Sequence, residues 1–340
     1  MNDALRNTLP DVFNRTYRTI RLEWNSEHSM LTSHMCVRPI QCYSLAALAE
    51  LQQLSSDIDA NPGLVRHYVT ASDLPKVFNF GGDLSLFVLL VRARDLESLR
   101  LYGRRCLELI WWLETAADRG IHTTALVRGD TLGGGLESVL SHHTVIMERG
   151  VQAGFPEVLF NLFPGMGGWN LTIRRAGLGV ANDMILSGRT YTAEQLLQRG
   201  LVDHVVDDGG SPAVLDQVVR AMESKFRGAM AALQARRTAA PISYESLQSI
   251  VDQWAAAAMG LSDRDMRLME FLARAQLRKL GGAADGAVEE IKRLELDTAW
   301  DFERTGNSDW AALAPLAMPH RGISRLPLDS TQLRANRRVS

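Results

Sequence analysis

The chain has 340 residues, 46% hydrophobic and 22% charged, with a formal net charge of −2. That balance fits a large globular core with an appendage, and it excludes the broad basic field that nucleic acid or an anionic membrane surface requires. The three cysteines, Cys36, Cys42 and Cys106, are odd in number and lack Cys-x-x-Cys spacing, which points to free thiols in a reducing compartment.

Residues 1–15 read as a loose N-terminal arm. "MNDALRNTLPDVFNRTYR" lacks the apolar stretch of a secretory signal, and no run reaches the roughly 18 apolar residues of a membrane span, so a cytoplasmic protein is expected. "TYRTIRLEW" and "SMLTSHMCVRP" are β-rich and predict a strand pair turning at Asn25-Ser26. A helix follows over 43–57, then a buried strand in "LVRHYVTAS", residues 64–72. "VFNFGGDLSLF", residues 77–87, sets a glycine pair before Asp83 and an apolar run. Leu99, Tyr102, Cys106, Leu109, Ile110 and Leu113 recur at helical spacing and predict a long helix over 95–118. "TTALV", residues 123–127, predicts a strand leading into "RGDTLGGGLESVLSHH", residues 128–143, where three glycines open a helix.

Strand, glycine turn and helix thus occur twice in succession. Strands alternating with helices argue for parallel βα units, with ligands gathering at the strand ends. In "YTAEQLLQRGLVDHVV", residues 191–206, Thr192 caps a helix, Gln195 answers it, Gly200 ends it and "LVDHVV" is a strand. From 211 the chain reads as nearly all helical, with Ser262 as an N-cap and Asp265 at the third helical position. Residues 306–340 carry scattered prolines and glycines and end in the basic "RANRR", a solvated terminus. The expected division is an arm (1–15), a core (16–210), a helical region (211–305) and an irregular tail (306–340).

The glycine run carries the first chemical signal. Glycine lets another group approach the backbone, and the first N–H groups of a helix have no internal partner. Gly133–Gly135 therefore read as an anion site with Glu137 one turn away. No glycine run is followed by Lys-Ser or Lys-Thr, and "PGMGGWN" lacks the spacing of a dinucleotide fingerprint. The adjacent His142 and His143 diverge and lack ligand-spaced partners, which argues against a metal site. Gly-x-Ser-x-Gly is absent, so a serine nucleophile is disfavoured. Cys106 fits the buried stripe of its helix rather than a reactive thiol. Two carboxylates remain. Glu157 lies twenty residues after Glu137 in "GFPEVLFNLFPGMGGWN", with Phe155, Val158, Leu159 and Phe160 around it. A carboxyl group buried there has a raised pKa and can give up a proton near neutrality, whereas a surface position would leave it an ordinary carboxylate.

"FNFGGDL", "LGGGLE", "GFPEVLFNLFPGMGG" and "YTAEQLLQRGLVDHVV" stand in the order and spacing of one family. Over about residues 65–210 the chain resembles the crotonase (enoyl-CoA hydratase/isomerase) superfamily. The resemblance implies an α/β fold, a crotonase-type β-β-α spiral core with a helical C-terminal region, assembled as a homo-trimer or hexamer. It implies that the backbone N–H groups of Gly82 and Gly134 form an oxyanion hole for a thioester carbonyl. It also implies that Glu137 and Glu157 handle protons and water at adjacent carbons of the acyl chain. No metal or redox cofactor is implied.

"VFNFGGDLSLF", "EVLFNLFPGMGG" and "LMEFLARAQLRK" resemble more closely the diffusible signal factor synthases, bacterial crotonase-fold enzymes that make cis-2-unsaturated fatty acid signals. The triple glycine follows "RGDTL" here, in place of the Asn-Gly-x-Ala pattern of degradative hydratases. This resemblance implies dehydration of a medium- or long-chain 3-hydroxyacyl thioester, carried on acyl carrier protein or CoA, and hydrolytic release of the free acid. It implies Leu132, Met166 and Trp254 as acyl-pocket lining, and a sensor or regulatory protein as a further partner. Trp254 reads equally as a helix-core aromatic beside Ile250, Val251 and Ala258. Two rival functions remain: an enoyl-CoA hydratase of degradation or specialised biosynthesis, and a non-catalytic protein of this fold that binds a signalling partner.

Overall fold

Alternation of inward Ile20 and Trp24 with outward Arg21 and Glu23 makes Ile20–Asn25 an edge strand, β1. It pairs antiparallel with β2 (Met30–Met35), and the Asn25 side chain closes the turn by accepting from the Glu27 and His28 N–H groups. Helix α1 (Leu45–Asp59) starts where the Ser44 hydroxyl accepts from the Ala47 N–H. The computed structural model that shows these elements describes residues 8–279. Residues 1–7 of the expected arm, the end of the expected helical region and the expected tail lie outside them. Within the arm, Phe13 is fully buried and Arg15 pairs with Asp57 at 2.9 Å, so residues 13–15 are seated on the core and not loose.

The middle of the chain repeats one move: a strand for a large sheet, a strand for a small one, then a helix. First come β3 (His67–Ser72), β4 (Lys76–Asn79), α2 (Leu84–Arg92) and α3 (Leu96–Glu114); next come β5 (His122–Val127), β6 (Gly129–Leu132) and α4 (Gly134–Ser141). The third pass gives β7 (Thr144–Glu148), β8 (Gln152–Gly154), a 3-10 turn at Glu157–Phe160, and helices α5 (Gly168–Ala176) and α6 (Leu178–Ser187). Then β9 (Thr190–Thr192), α7 (Ala193–Gln198) and β10 (His204–Val206) complete the sheets. Among the described residues the sheets run β1-β2-β3-β5-β7-β10 and β4-β6-β8-β9, and the β3/β5/β7 and β4/β6/β8 neighbours are parallel. Each turn of this spiral adds one strand to each sheet. The expected single strand before the triple glycine is thus two strands in different sheets. The capping box of Thr192 and Gln195 is present as expected.

Helix α3 is the axle of the core. Leu99, Tyr102, Cys106, Ile110 and Leu113 are buried as their spacing predicts, each large aliphatic contributing ~1.5–3 kcal/mol. Leu109 is only half-buried; Leu107 takes the inner position, because the stripe turns with the helix. Helices α8 (Ser211–Glu223), α9 (Phe226–Ala239), α10 (Tyr244–Ala258) and α11 (Asp263–Lys279) follow, so the described part of 211–305 is helical. Arg174 and Glu114 form a buried ion pair that ties α5 to the end of α3. Among the described residues no helix is long and apolar enough to cross a membrane.

Candidate active site

The three glycines have separate structural reasons. Gly133 caps α4 at φ +54°, ψ −127°, a backbone state that L side chains rarely adopt, and a Cβ there would lie 2.5 Å from Glu157 Oε1. A Cβ on Gly135 would collide with the Asn79 carbonyl oxygen, so the helix can start against β4 only without a side chain. A Cβ on Gly134 would point at Met166 Sδ, 2.7 Å away, and stand 3.5 Å from the Gly82 nitrogen. The two glycine loops therefore meet, with the Gly134 N–H at the open start of an eight-residue helix.

The far end of α4 is pinned. Arg175 donates through Nε to the Leu140 carbonyl at 3.0 Å and through Nη2 to the His142 carbonyl, a cation at the negative helix terminus. His142 hydrogen-bonds Thr70 and the Ser138 carbonyl, and His143 accepts from the Thr123 N–H, so both histidines are bound into the scaffold. Among the described residues no group of three His, Cys, Asp or Glu side chains could hold a metal ion.

Glu137, 1% exposed, projects from α4 with Oε1 accepting from the Met166 N–H at 2.8 Å and the Gly168 N–H at 2.7 Å. Burial pushes its pKa up to about 7, while those two donors pull the other way by favouring the carboxylate. Glu157 opens the 3-10 turn after Pro156. It is half-buried as a residue, yet Oε2 is closed off from solvent and has no hydrogen-bond partner among the described residues. Burial first, and the charge of Glu137 second, hold its pKa well above the usual carboxylate range. Of the apolar residues expected around Glu157, Leu159 is instead exposed, on the outer side of the 3-10 turn. Phe155 and Phe160 are buried as expected.

All seven residues expected at the site, Gly82, Leu132, Gly134, Glu137, Glu157, Met166 and Trp254, line one cavity of about 250 Å³. Its remaining wall is mostly apolar, with Phe80, Leu84, Phe87 and Leu162. Trp254 is both a packed core aromatic and a residue of the cavity wall. It packs edge-on against Phe87, ring centroids 4.5 Å apart, with Gly165 against its indole face, and it also faces the cavity. Cys106 lines the cavity too, but burial pushes its thiol up to about 12, which leaves it protonated.

Two features were missed in the sequence. Tyr102, read as a stripe residue, aims its hydroxyl at the first glycine loop: it accepts from the Asp83 N–H and donates to the Tyr43 carbonyl, both at 2.8 Å. The signal was a phenol on an otherwise apolar stripe, since a buried tyrosine hydroxyl needs a partner. The other is α11, whose Leu272, Ala275 and Gln276 close the cavity. Its start is latched to the Glu157 turn, where the Asn161 amide donates to Asp265 at 2.7 Å.

Residues 38–257 match the enoyl-CoA hydratase/isomerase family. The chain belongs to that family. Among curated proteins it is 33% identical over 161 residues to the fatty acid oxidation complex subunit alpha of Shewanella loihica, which covers 47% of this chain and 22% of that one. The chain thus matches about a fifth of that relative's length. Among solved structures, the enoyl-CoA hydratase of Bacillus anthracis aligns with 76% of this chain and 97% of its own, at 22% identity and a TM-score of 0.60. DspI of Pseudomonas aeruginosa aligns with 81% of this chain and 100% of its own, at 25% identity and a TM-score of 0.52. The crotonase fold of the family accounts for the spiral of paired strands described above.

Proposed function

We propose that this protein removes water from a medium- or long-chain 3-hydroxyacyl thioester and releases a cis-2-unsaturated fatty acid by hydrolysis. The observation that carries the reading is the pair of carboxyl groups, Glu137 and Glu157, facing one apolar cavity beside the Gly82–Gly134 backbone meeting. Near neutrality the burial of both carboxyl groups, and the Glu137 charge beside Glu157, keep a proton within the pair. In the direction of water addition, Glu137 takes a proton from water and Glu157 gives one to the α-carbon. Elimination runs the same transfers backward, starting with the proton on Glu137: Glu157 takes the α-proton, the enolate oxygen is held by the Gly82 and Gly134 N–H groups, and Glu137 gives its proton to the 3-hydroxyl, which leaves as water. In the release step, water adds to the thioester carbonyl, the C–S bond breaks and the thiol departs with a proton. Both steps are redox-neutral.

The cavity, a little below the roughly 300–1,000 Å³ usual for ligand sites, suits one acyl chain. The exposed Leu159, Leu178 and Leu186 are apolar surface that a homo-oligomer would cover. The likeness to a fatty acid oxidation subunit favours a second reading, hydration of a 2-enoyl-CoA. Offering crotonyl-CoA and 3-hydroxydodecanoyl carrier protein side by side separates the two by which is turned over. On either reading Glu137→Ala and Glu157→Ala each lower turnover by ~10²–10⁴, the range of general acid–base groups. A near wild-type rate in either variant removes that residue from the mechanism.

A further inference from the structure

Helix α11 has two faces with different business. Its inner face buries Met266, Met269 and Ala273, and Leu272, Ala275 and Gln276 wall the cavity. Its outer face is a single stripe of Arg264, Arg267, Phe271, Arg274 and Arg278, at spacings of three and four residues, all exposed. Phe271 is 57% exposed, with the Arg278 guanidinium 5.9 Å from its ring centre. None of the four arginines has an ion-pair partner among the described residues. Of the helix's own carboxylates, Glu270 is engaged by Arg92 at 2.6 Å, and Asp265, held by Ser262 and Asn161, offsets charge only at the Arg264 end of the stripe. Asp263 stands exposed at the first turn, beside the stripe's end. Four guanidinium groups thus line about 21 Å of helix, at 1.5 Å per residue, on a chain whose net charge is −2.

We propose that this stripe docks an acidic carrier protein that delivers the acyl thioester to the cavity. The proposal rests on the acyl-thioester reading above and names the partner of the same site. Arginine forks match carboxylates bidentately, and an exposed aromatic among arginines has the composition of a protein–protein hot spot. Position favours a protein over a nucleic acid or a bilayer. The stripe lies one helix diameter, about 10–12 Å, from the cavity wall, so a carrier seated there holds its thioester arm beside the acyl site.

The test compares the full chain with its Arg267→Glu/Arg274→Glu and Phe271→Ala variants. Each is given one acyl group on acyl carrier protein and the same acyl group on CoA. With the carrier substrate, kcat/KM falls by about tenfold or more in the charge-reversed variant, mostly through KM, and wild type loses the same advantage as salt is raised. With the CoA thioester the variants match wild type. Equal losses on both substrates, or no loss on either, overturn the proposal. Binding of unacylated carrier protein, followed by calorimetry, reads the surface without turnover. If neither thioester is turned over, the functional reading fails, while carrier binding weakened by the substitutions still supports the docking surface. Absent carrier binding, or binding to phosphatidylglycerol vesicles that the substitutions abolish while carrier binding is unchanged, overturns it.

Discussion

Replacing Glu137 by glutamine should stabilise the protein, and by an amount that depends on pH. The glutamine keeps an oxygen for the Met166 and Gly168 N–H groups, so the hydrogen bonds at 2.8 and 2.7 Å survive. What changes is the charge. Burial holds Glu137 at about 7 in the folded chain against 4.5 for a free side chain. Between those values the native state keeps a proton that the unfolded state has lost, so stability falls as pH rises through this window and is level above it. At 1.36 kcal/mol per pKa unit the loss is about 3 kcal/mol. Removing the Glu137 charge also relieves Glu157, which acts in the same direction. Urea denaturation of both proteins at pH 4 and pH 8 measures the difference. The advantage of Glu137→Gln should be near zero at pH 4 and about 3 kcal/mol at pH 8. A difference that stays constant across pH would refute the raised carboxyl pKa and with it the acid–base assignment.

Tyr102→Phe should fold but lose ~1–3 kcal/mol, because the Asp83 N–H and Tyr43 carbonyl lose their shared partner; urea midpoints check this, and kcat should fall with the displaced Gly82 loop. Gly134→Val should fold and be inactive, since its side chain enters the cavity toward Met166, whereas Gly150→Ala meets nothing closer than Asp208 at 3.7 Å and should be fully active. Thioester turnover on both variants decides it. Trp254→Ala should cost ~3–5 kcal/mol, as buried aromatics do, and should also lengthen the preferred acyl chain. Melting curves and product chain lengths from one sample separate the two effects, and an unaltered product profile would strike Trp254 from the pocket.

The parts of the site legible in sequence are those fixed locally. Three consecutive glycines before a glutamate mark a helix start approached by other backbone, and the structure places Asn79, Met166 and Glu157 where those side chains would have been. Thr192 and Gln195 announced their capping box because both partners lie within one turn. What could not be read depends on pairing across long sequence distances. The break at Arg128 between β5 and β6 follows from the two sheets diverging, and its local mark is Gly129, where a Cβ would collide with the Val77 nitrogen of β4. Tyr102 looked like one more stripe residue because its partners, Tyr43 and Asp83, come from elsewhere in the chain. Ser262 and Asp265 marked the start of α11, but nothing local showed that its Leu272 and Ala275 close the cavity holding Glu137.

The most direct test of the central claim is incubation of a 3-hydroxydodecanoyl thioester in oxygen-18 water, followed by mass spectrometry of both recovered substrate and free acid. If Glu137 and Glu157 reversibly remove and return water, recovered substrate gains label at its 3-hydroxyl, and a 2-unsaturated acid accumulates with label in its carboxyl group. Both signals should vanish in Glu137→Gln/Glu157→Gln. A labelled saturated 3-hydroxy acid with no label at the 3-hydroxyl and no unsaturated product would contradict the account, because the cavity would then cleave thioesters without moving water across the α–β bond.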